Sequence, residues 1–124
     1  MTTENEMKTL LKAQQGELDA VLMYLALAKA VKNPGDKKTF LKLAKEEGHH
    51  AAVFRKLTKK ILKPKKLKAI LLPLLYKILG KKWLYPRIAK GEYAAEKKYI
   101  PLAERFPQVK SVQEDEKRHG DTVM

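Results

Sequence analysis

Phe40-Leu41-Lys42-Leu43-Ala44-Lys45-Glu46-Glu47-Gly48-His49-His50-Ala51-Ala52-Val53-Phe54 is the stretch on which the fold turns. Read from Phe40, one stripe runs Phe40, Leu43, Glu47, His50, Phe54, Leu57, Ile61, in steps of 3, 4, 3, 4, 3 and 4. That is the spacing of a core-facing helical face. A carboxylate and an imidazole therefore stand where Leu or Ile would ordinarily go. Burying such groups uncompensated is costly, several kcal/mol or more, so this helix needs a partner for both. A second Glu-x-x-His register, Glu46 with His49, lies about 100° round the helix and off the stripe. Glu47 and His50 are the pair chosen, and His49 is expected at the surface.

Three more segments carry the same anomaly. A helix predicted over 3–31 has the seam Leu10, Ala13, Glu17, Ala20, Tyr24, Leu27, Val31. Lys32-Asn33-Pro34-Gly35 is expected to stop it, with Asp36 as the N-cap of the next helix, 37–62. A third helix, 85–105, has the seam Ile88, Glu92, Ala95, Tyr99, Leu102, Phe106, and a kink is expected at Pro101. A short fourth helix after Pro107 carries Val109, Val112, Glu116, His119 and Val123.

These segments form an internal repeat. Gly16-Glu17-x-x-Ala20-x-x-x-Tyr24 recurs as Gly91-Glu92-x-x-Ala95-x-x-x-Tyr99, and Leu43-x-x-x-Glu47-x-x-His50 recurs as Val112-x-x-x-Glu116-x-x-His119. One Glu-x-x-His alone is a weak signal. Two in the same order, each preceded by a glutamate helix and all on apolar stripes, predict two helical hairpins and a four-helix bundle. In total they bring four carboxylates and two imidazoles to apolar seams that hold no Lys or Arg. A buried ion-pair network is the plain alternative, but it is short of cations. Two divalent metal ions would balance the four carboxylates. Oxygen-rich ligation with imidazole and no thiolate suits iron, with manganese as the other candidate.

The repeated Gly-Glu-x-x-Ala-x-x-x-Tyr stretches, Leu43-Ala44-x-x-Glu47-x-x-His50-Ala51 and Asp115-Glu116-x-x-His119 resemble the rubrerythrin and ferritin-like di-iron family over about 10–62 and 88–123. The resemblance implies an all-α, ferritin-like four-helix bundle as a single domain over 1–124. Its parts would be a hairpin at 3–62, a connector at 63–83 and a hairpin at 84–124. It also implies two irons. Glu17 and Glu92 would be terminal ligands with His50 and His119, Glu47 and Glu116 would bridge, and Tyr24 and Tyr99 would support the ligating carboxylates unless they are simply core aromatics. Rubrerythrins usually carry a further carboxylate three residues after the third-helix glutamate. Ala95 stands there, and the neighbouring Glu96 is expected on a solvated face. The ligand set is thus closer to the symmetric ferritin or bacterioferritin type. The activity implied is oxidation of Fe2+ by peroxide or dioxygen, with an external electron donor and a homodimer or larger assembly.

Composition narrows the rest. Cysteine is absent, which excludes disulfides, zinc fingers and iron–sulfur clusters within the chain. The net charge of +13 is local: no acidic residue occurs between Glu47 and Glu92, where thirteen Lys and Arg accumulate. The remaining fourteen basic residues balance fourteen acidic ones. The connector 63–83 combines these charges with Leu67, Ile70, Leu71, Leu74, Leu75, Ile78 and Leu79, which suggests a short amphipathic helix broken or started near Pro73. Its length suits a crossover between parallel helices, since a helix of about 20 residues spans about 30 Å. Three uses fit this basic segment: a solvated face, an anionic membrane surface, or, with no base-reading motif, nucleic acid. A non-catalytic metal-binding module docking through 55–90 is the different-class alternative. No apolar run is long enough to cross a bilayer, and no basic-then-apolar leader opens the chain. A cytoplasmic protein is expected, peripheral to a membrane at most.

Overall fold

The structure is a computed structural model that describes residues 2–124. Among the described residues it is all-α, with helices α1 (Glu4–Ala30), α2 (Pro34–Thr58), α3 (Leu67–Leu79), α4 (Lys81–Arg105) and α5 (Lys110–Val123), a 3-10 turn at Pro107–Val109, and no strand. The chain divides into two compact units, which meet inside α3 between Leu74 and Leu75.

The first unit is a helical hairpin. Thr3 caps α1 through a reciprocal box: its hydroxyl accepts from the Glu6 N–H, and the Glu6 carboxylate accepts from the Thr3 N–H. The chain then turns over three residues. Pro34 and Gly35 open α2 and do not merely end α1. Pro34 takes the first helical position, where its missing N–H costs nothing, and Asn33, not Asp36, is the N-cap, accepting from the Asp36 N–H at 3.0 Å. Cross-helix pairs fix the antiparallel register: Gln14 meets Thr58, Glu17 meets His50, and Tyr24 stacks on Phe40 at 5.8 Å. As numbers rise on α1 they fall on α2. The helix ends earlier than its periodicity suggests. Lys59 adopts the left-handed conformation and closes it, so Ile61 falls outside the stripe and is 77 % exposed.

Beyond Lys59 the chain is strapped along α1. Gln14 donates to the Lys60 carbonyl at 2.9 Å and Gln15 to the Lys63 carbonyl at 2.8 Å. Asp19 accepts from the Lys65 N–H at 2.7 Å. Helix α3 follows, running through Pro73 without a break, and none of its residues is buried. Helix α4 begins at Lys81, so Lys81, Lys82 and Trp83 belong to it and not to the connector.

The second unit contains the other hairpin. Glu96 of α4 accepts a hydrogen bond from Gln113 of α5, and Tyr93 donates to Asp121 at 2.6 Å, again with opposed numbering. The bond to Asp121 holds the Tyr93 phenol above its ordinary pKa. Every apolar residue of the predicted α5 seam, Val109, Val112 and Val123, is buried. Gly120 lies under the Tyr93 ring, and a Cβ there would stand 2.5 Å from Cε1 and 2.8 Å from Cδ1 and Cζ. That ring is the far end of a half-buried, flexible side chain, so it would swing aside and lose Asp121. Gly120→Ala is therefore expected to bring the Tyr93 phenol down toward its ordinary pKa, read by ultraviolet titration of tyrosine against the parent. An unchanged titration would show that the ring keeps its place.

Candidate metal centre

Each hairpin gathers one carboxylate from its first helix and a Glu-x-x-His pair from its second. In the first, Glu17 comes from α1 and Glu47 and His50 from α2. A spacing of three puts Glu47 and His50 on one side of the helix, and the hairpin register brings Glu17 opposite. His50 Nδ1 lies 2.9 Å from Glu17 Oε1 and 3.0 Å from Glu47 Oε1. In the second hairpin Glu92 comes from α4 and Glu116 and His119 from α5. His119 Nδ1 lies 3.8 Å from Glu92 Oε2 and 3.4 Å from Glu116 Oε1. All six residues are at most 6 % exposed.

Three donor atoms thus converge in each hairpin. One imidazole N–H cannot point well at two carboxylates together, since a hydrogen bond weakens steeply away from linearity. A cation among the three atoms has no such limit. With ligand bonds of about 2.1 Å, neighbouring donors around a cation lie about 3.0 Å apart in octahedral and about 3.4 Å apart in tetrahedral geometry. The first triad matches the shorter spacing at both edges. The second matches the longer at one edge and is wider at the other. In charge, each triad has two carboxylates and a neutral imidazole, which one divalent ion balances. Glu47, His50, Glu116 and His119 are buried Glu/His residues that could hold metal, and the place of Glu17 and Glu92 beside them rests on their distances to the two histidines. The donor set is oxygen and nitrogen throughout, which fits iron or manganese.

The other candidates separate cleanly. Tyr24 and Tyr99 are buried, and the Tyr24 ring stacks on Phe40. Ala20 and Ala95 are half-buried. His49 is exposed, as its off-stripe position predicts. Glu96 is half-buried and serves the α4–α5 contact through Gln113. One buried polar contact had no sequence signal: Thr58 donates to Gln14 at 2.6 Å, tying the end of α2 to α1 beneath the strap.

Helical hairpins built on a glutamate helix and a Glu-x-x-His helix define an all-α, ferritin-like class. A family model described as Rubrerythrin matches residues 8–124, and the chain belongs to the rubrerythrin family. The match runs through the connector as well as both hairpins, further than the motifs alone reach. No curated protein and no solved structure matches the chain.

The two triads differ in tightness, and that difference has a measurable effect. In chelator-treated protein, His50→Ala removes a group within 3.0 Å of two buried carboxylates and is expected to cost ~3–5 kcal/mol. His119→Ala, with its longer separations, is expected to cost less. Urea unfolding of both variants checks the order, and equal losses would contradict it.

Proposed function

We propose that the chain is a non-haem di-iron oxidoreductase of rubrerythrin or ferritin type, which oxidises Fe2+ with peroxide or dioxygen. The observation that carries this is the recurrence of one buried triad in both hairpins of a rubrerythrin-family chain. Glu17, Glu47 and His50 would hold one ion, and Glu92, Glu116 and His119 the other. Manganese is the competing metal. Iron would supply the electrons: two Fe2+ giving one each can reduce one molecule of hydrogen peroxide to water when two protons are taken up.

The protein's own part is positioning and exclusion. Burial keeps bulk water from the carboxylates, so their charge acts through a weakly screened interior. The register held by Gln14–Thr58 and Tyr24–Phe40 keeps Glu17 opposite His50. Tyr24 and Tyr99 stand two helical turns beyond Glu17 and Glu92 in sequence, and as buried hydroxyls they can orient carboxylates. The small side chains of Ala20 and Ala95, one turn from the same glutamates, leave room for a small oxidant. An external donor would return the ions to the ferrous state.

Two measurements test this. Anaerobic titration with Fe2+ is expected to saturate at two ions per chain and to raise the melting temperature, because a ligand held only by the folded state stabilises it, by about 2.7 kcal/mol at a hundred times Kd. No thermal response at neutral pH would remove the metal reading. Mixing the ferrous protein with peroxide is expected to give fast Fe3+ absorbance, at least about tenfold slower in Glu47→Ala and Glu116→Ala. His49→Ala, an exposed control, is expected to match the parent. A loaded protein that oxidises Fe2+ no faster than the variants would sink the redox assignment and leave metal binding standing.

A further inference from the structure

Helix α3 faces its apolar side outward. Leu67, Ile70, Leu71, Leu74 and Ile78 fall on one face at about 100° per residue, and all five are exposed, from 43 % at Leu71 to 73 % at Leu67. The opposite face, Ala69, Leu72, Pro73 and Tyr76, is half-buried. Lys68 and Lys77 lie on the two borders of the outward stripe, roughly 80–100° from its centre. A helix solvated in the ordinary way has the reverse order, with lysines at the centre of its exposed face.

The neighbourhood extends the pattern. Lys63, Lys65 and Lys66 precede the helix and Lys81, Lys82 and Arg87 follow it, all exposed. No acidic side chain occurs between Glu47 and Glu92 to offset them. The approach to α3 is held in place, because the backbone of Lys60, Lys63 and Lys65 is hydrogen-bonded to Gln14, Gln15 and Asp19. At the far end Tyr76 stacks on Tyr85 at 6.3 Å, and the Arg87 guanidinium lies 3.9 Å from the centre of the half-buried Trp83 ring.

We propose that α3 is a docking helix that lies in the plane of an anionic lipid bilayer, with Leu67, Ile70, Leu71, Leu74 and Ile78 in the acyl boundary and the lysines among the headgroups. Thirteen residues span about 20 Å, less than the ~30 Å hydrocarbon core. No described helix is long and apolar enough to cross a membrane. An in-plane seat matches that length, with the apolar stripe down and lysines at its edges. A second copy of the chain fits less well. Two-fold pairing of this stripe would bring lysine borders together from both copies with no acid between them. Nucleic acid would use the lysines but has nothing to bury five aliphatic side chains. This inference stands apart from the iron reading and survives its failure.

Sedimentation with vesicles tests it, using phosphatidylcholine alone and phosphatidylcholine mixed with phosphatidylserine, each at low and high salt. The full chain is expected to pellet with the mixed vesicles, weakly with the neutral ones, and less at high salt. Each cation near an anionic surface strengthens binding about fivefold, so Lys68→Gln/Lys77→Gln is expected to weaken it roughly twenty-five-fold. Leu71→Ser/Leu74→Ser leaves every charge in place and is expected to weaken it at least about a hundredfold. Its circular dichroism should stay that of the parent, since both sites are exposed. Failure to pellet with either vesicle would overturn the proposal. So would Leu71→Ser/Leu74→Ser binding as tightly as the parent, which is adsorption by charge alone. Duplex DNA displacing the chain from vesicles at equal phosphate, or an oligomer that dissociates only in the Leu variant, would assign the surface to nucleic acid or to a second copy instead.

Discussion

The fold depends on one constraint: ionisable groups placed in an apolar seam must be met by their complements at the same depth. Glu47 and His50 cannot be buried on α2 alone. Glu17 must arrive opposite them, and this fixes the register of the first hairpin as firmly as any apolar contact. Gln14–Thr58 on one side and Tyr24–Phe40 on the other hold the same register. A slip of one residue would turn Glu17 about 100° away and put Gly16 or Leu18, neither with a charge, in its place opposite His50. The polar triad thus costs desolvation energy but selects one antiparallel alignment out of several that an all-aliphatic hairpin would tolerate.

How much of this could be read from the sequence follows from what periodicity reports. A stripe of period 3.6 tells which side of a helix faces inward: the seams through Glu17, Glu47, Glu92 and Glu116 name buried residues except at Ala20, Leu57 and Ala95, which are half-buried, and at Ile61. Periodicity does not tell where a helix stops. Ile61 continues the stripe arithmetically, yet Lys59 has already left helical geometry. Pro34-Gly35 is ambiguous for a related reason: the same pair that cannot continue one helix is well suited to begin the next. The triads were legible because a charged residue on an apolar stripe is improbable by chance and the chain repeats it. Thr58 with Gln14, and Tyr93 with Asp121 over Gly120, were not. Each is a pair of ordinary helix-surface residues that becomes significant only once the hairpin register brings its members together.

The repeat also conceals an asymmetry. Both hairpins hold the same three residue types in the same order, but His50 sits 2.9 and 3.0 Å from its carboxylates while His119 sits 3.4 and 3.8 Å from its own. The surroundings differ too. The first triad lies in a hairpin tied off by Gln14, Thr58 and the strap, and the second in one whose α5 is held through Gly120 against Tyr93. Identical motifs need not give identical sites, because the motif supplies only the donors and the packing around them sets their spacing.

The connector obeys a different rule from the hairpins. Outside 48–91 the basic and acidic residues cancel, as suits a fold that must bury carboxylates without a net field across them. Within 48–91 nothing cancels, and the apolar side of α3 is turned to solvent. A loop needed only to bridge two helices could be short on both charge and hydrophobicity, since lengthening a flexible loop costs little. This one has both, in helical order, and its approach is fastened to α1 by three side-chain hydrogen bonds. Uncompensated like charge opposes compactness, and exposed aliphatic stripes invite aggregation. Neither property stabilises the chain by itself, so their joint placement on one helix face is better explained by what that face meets than by the fold it belongs to.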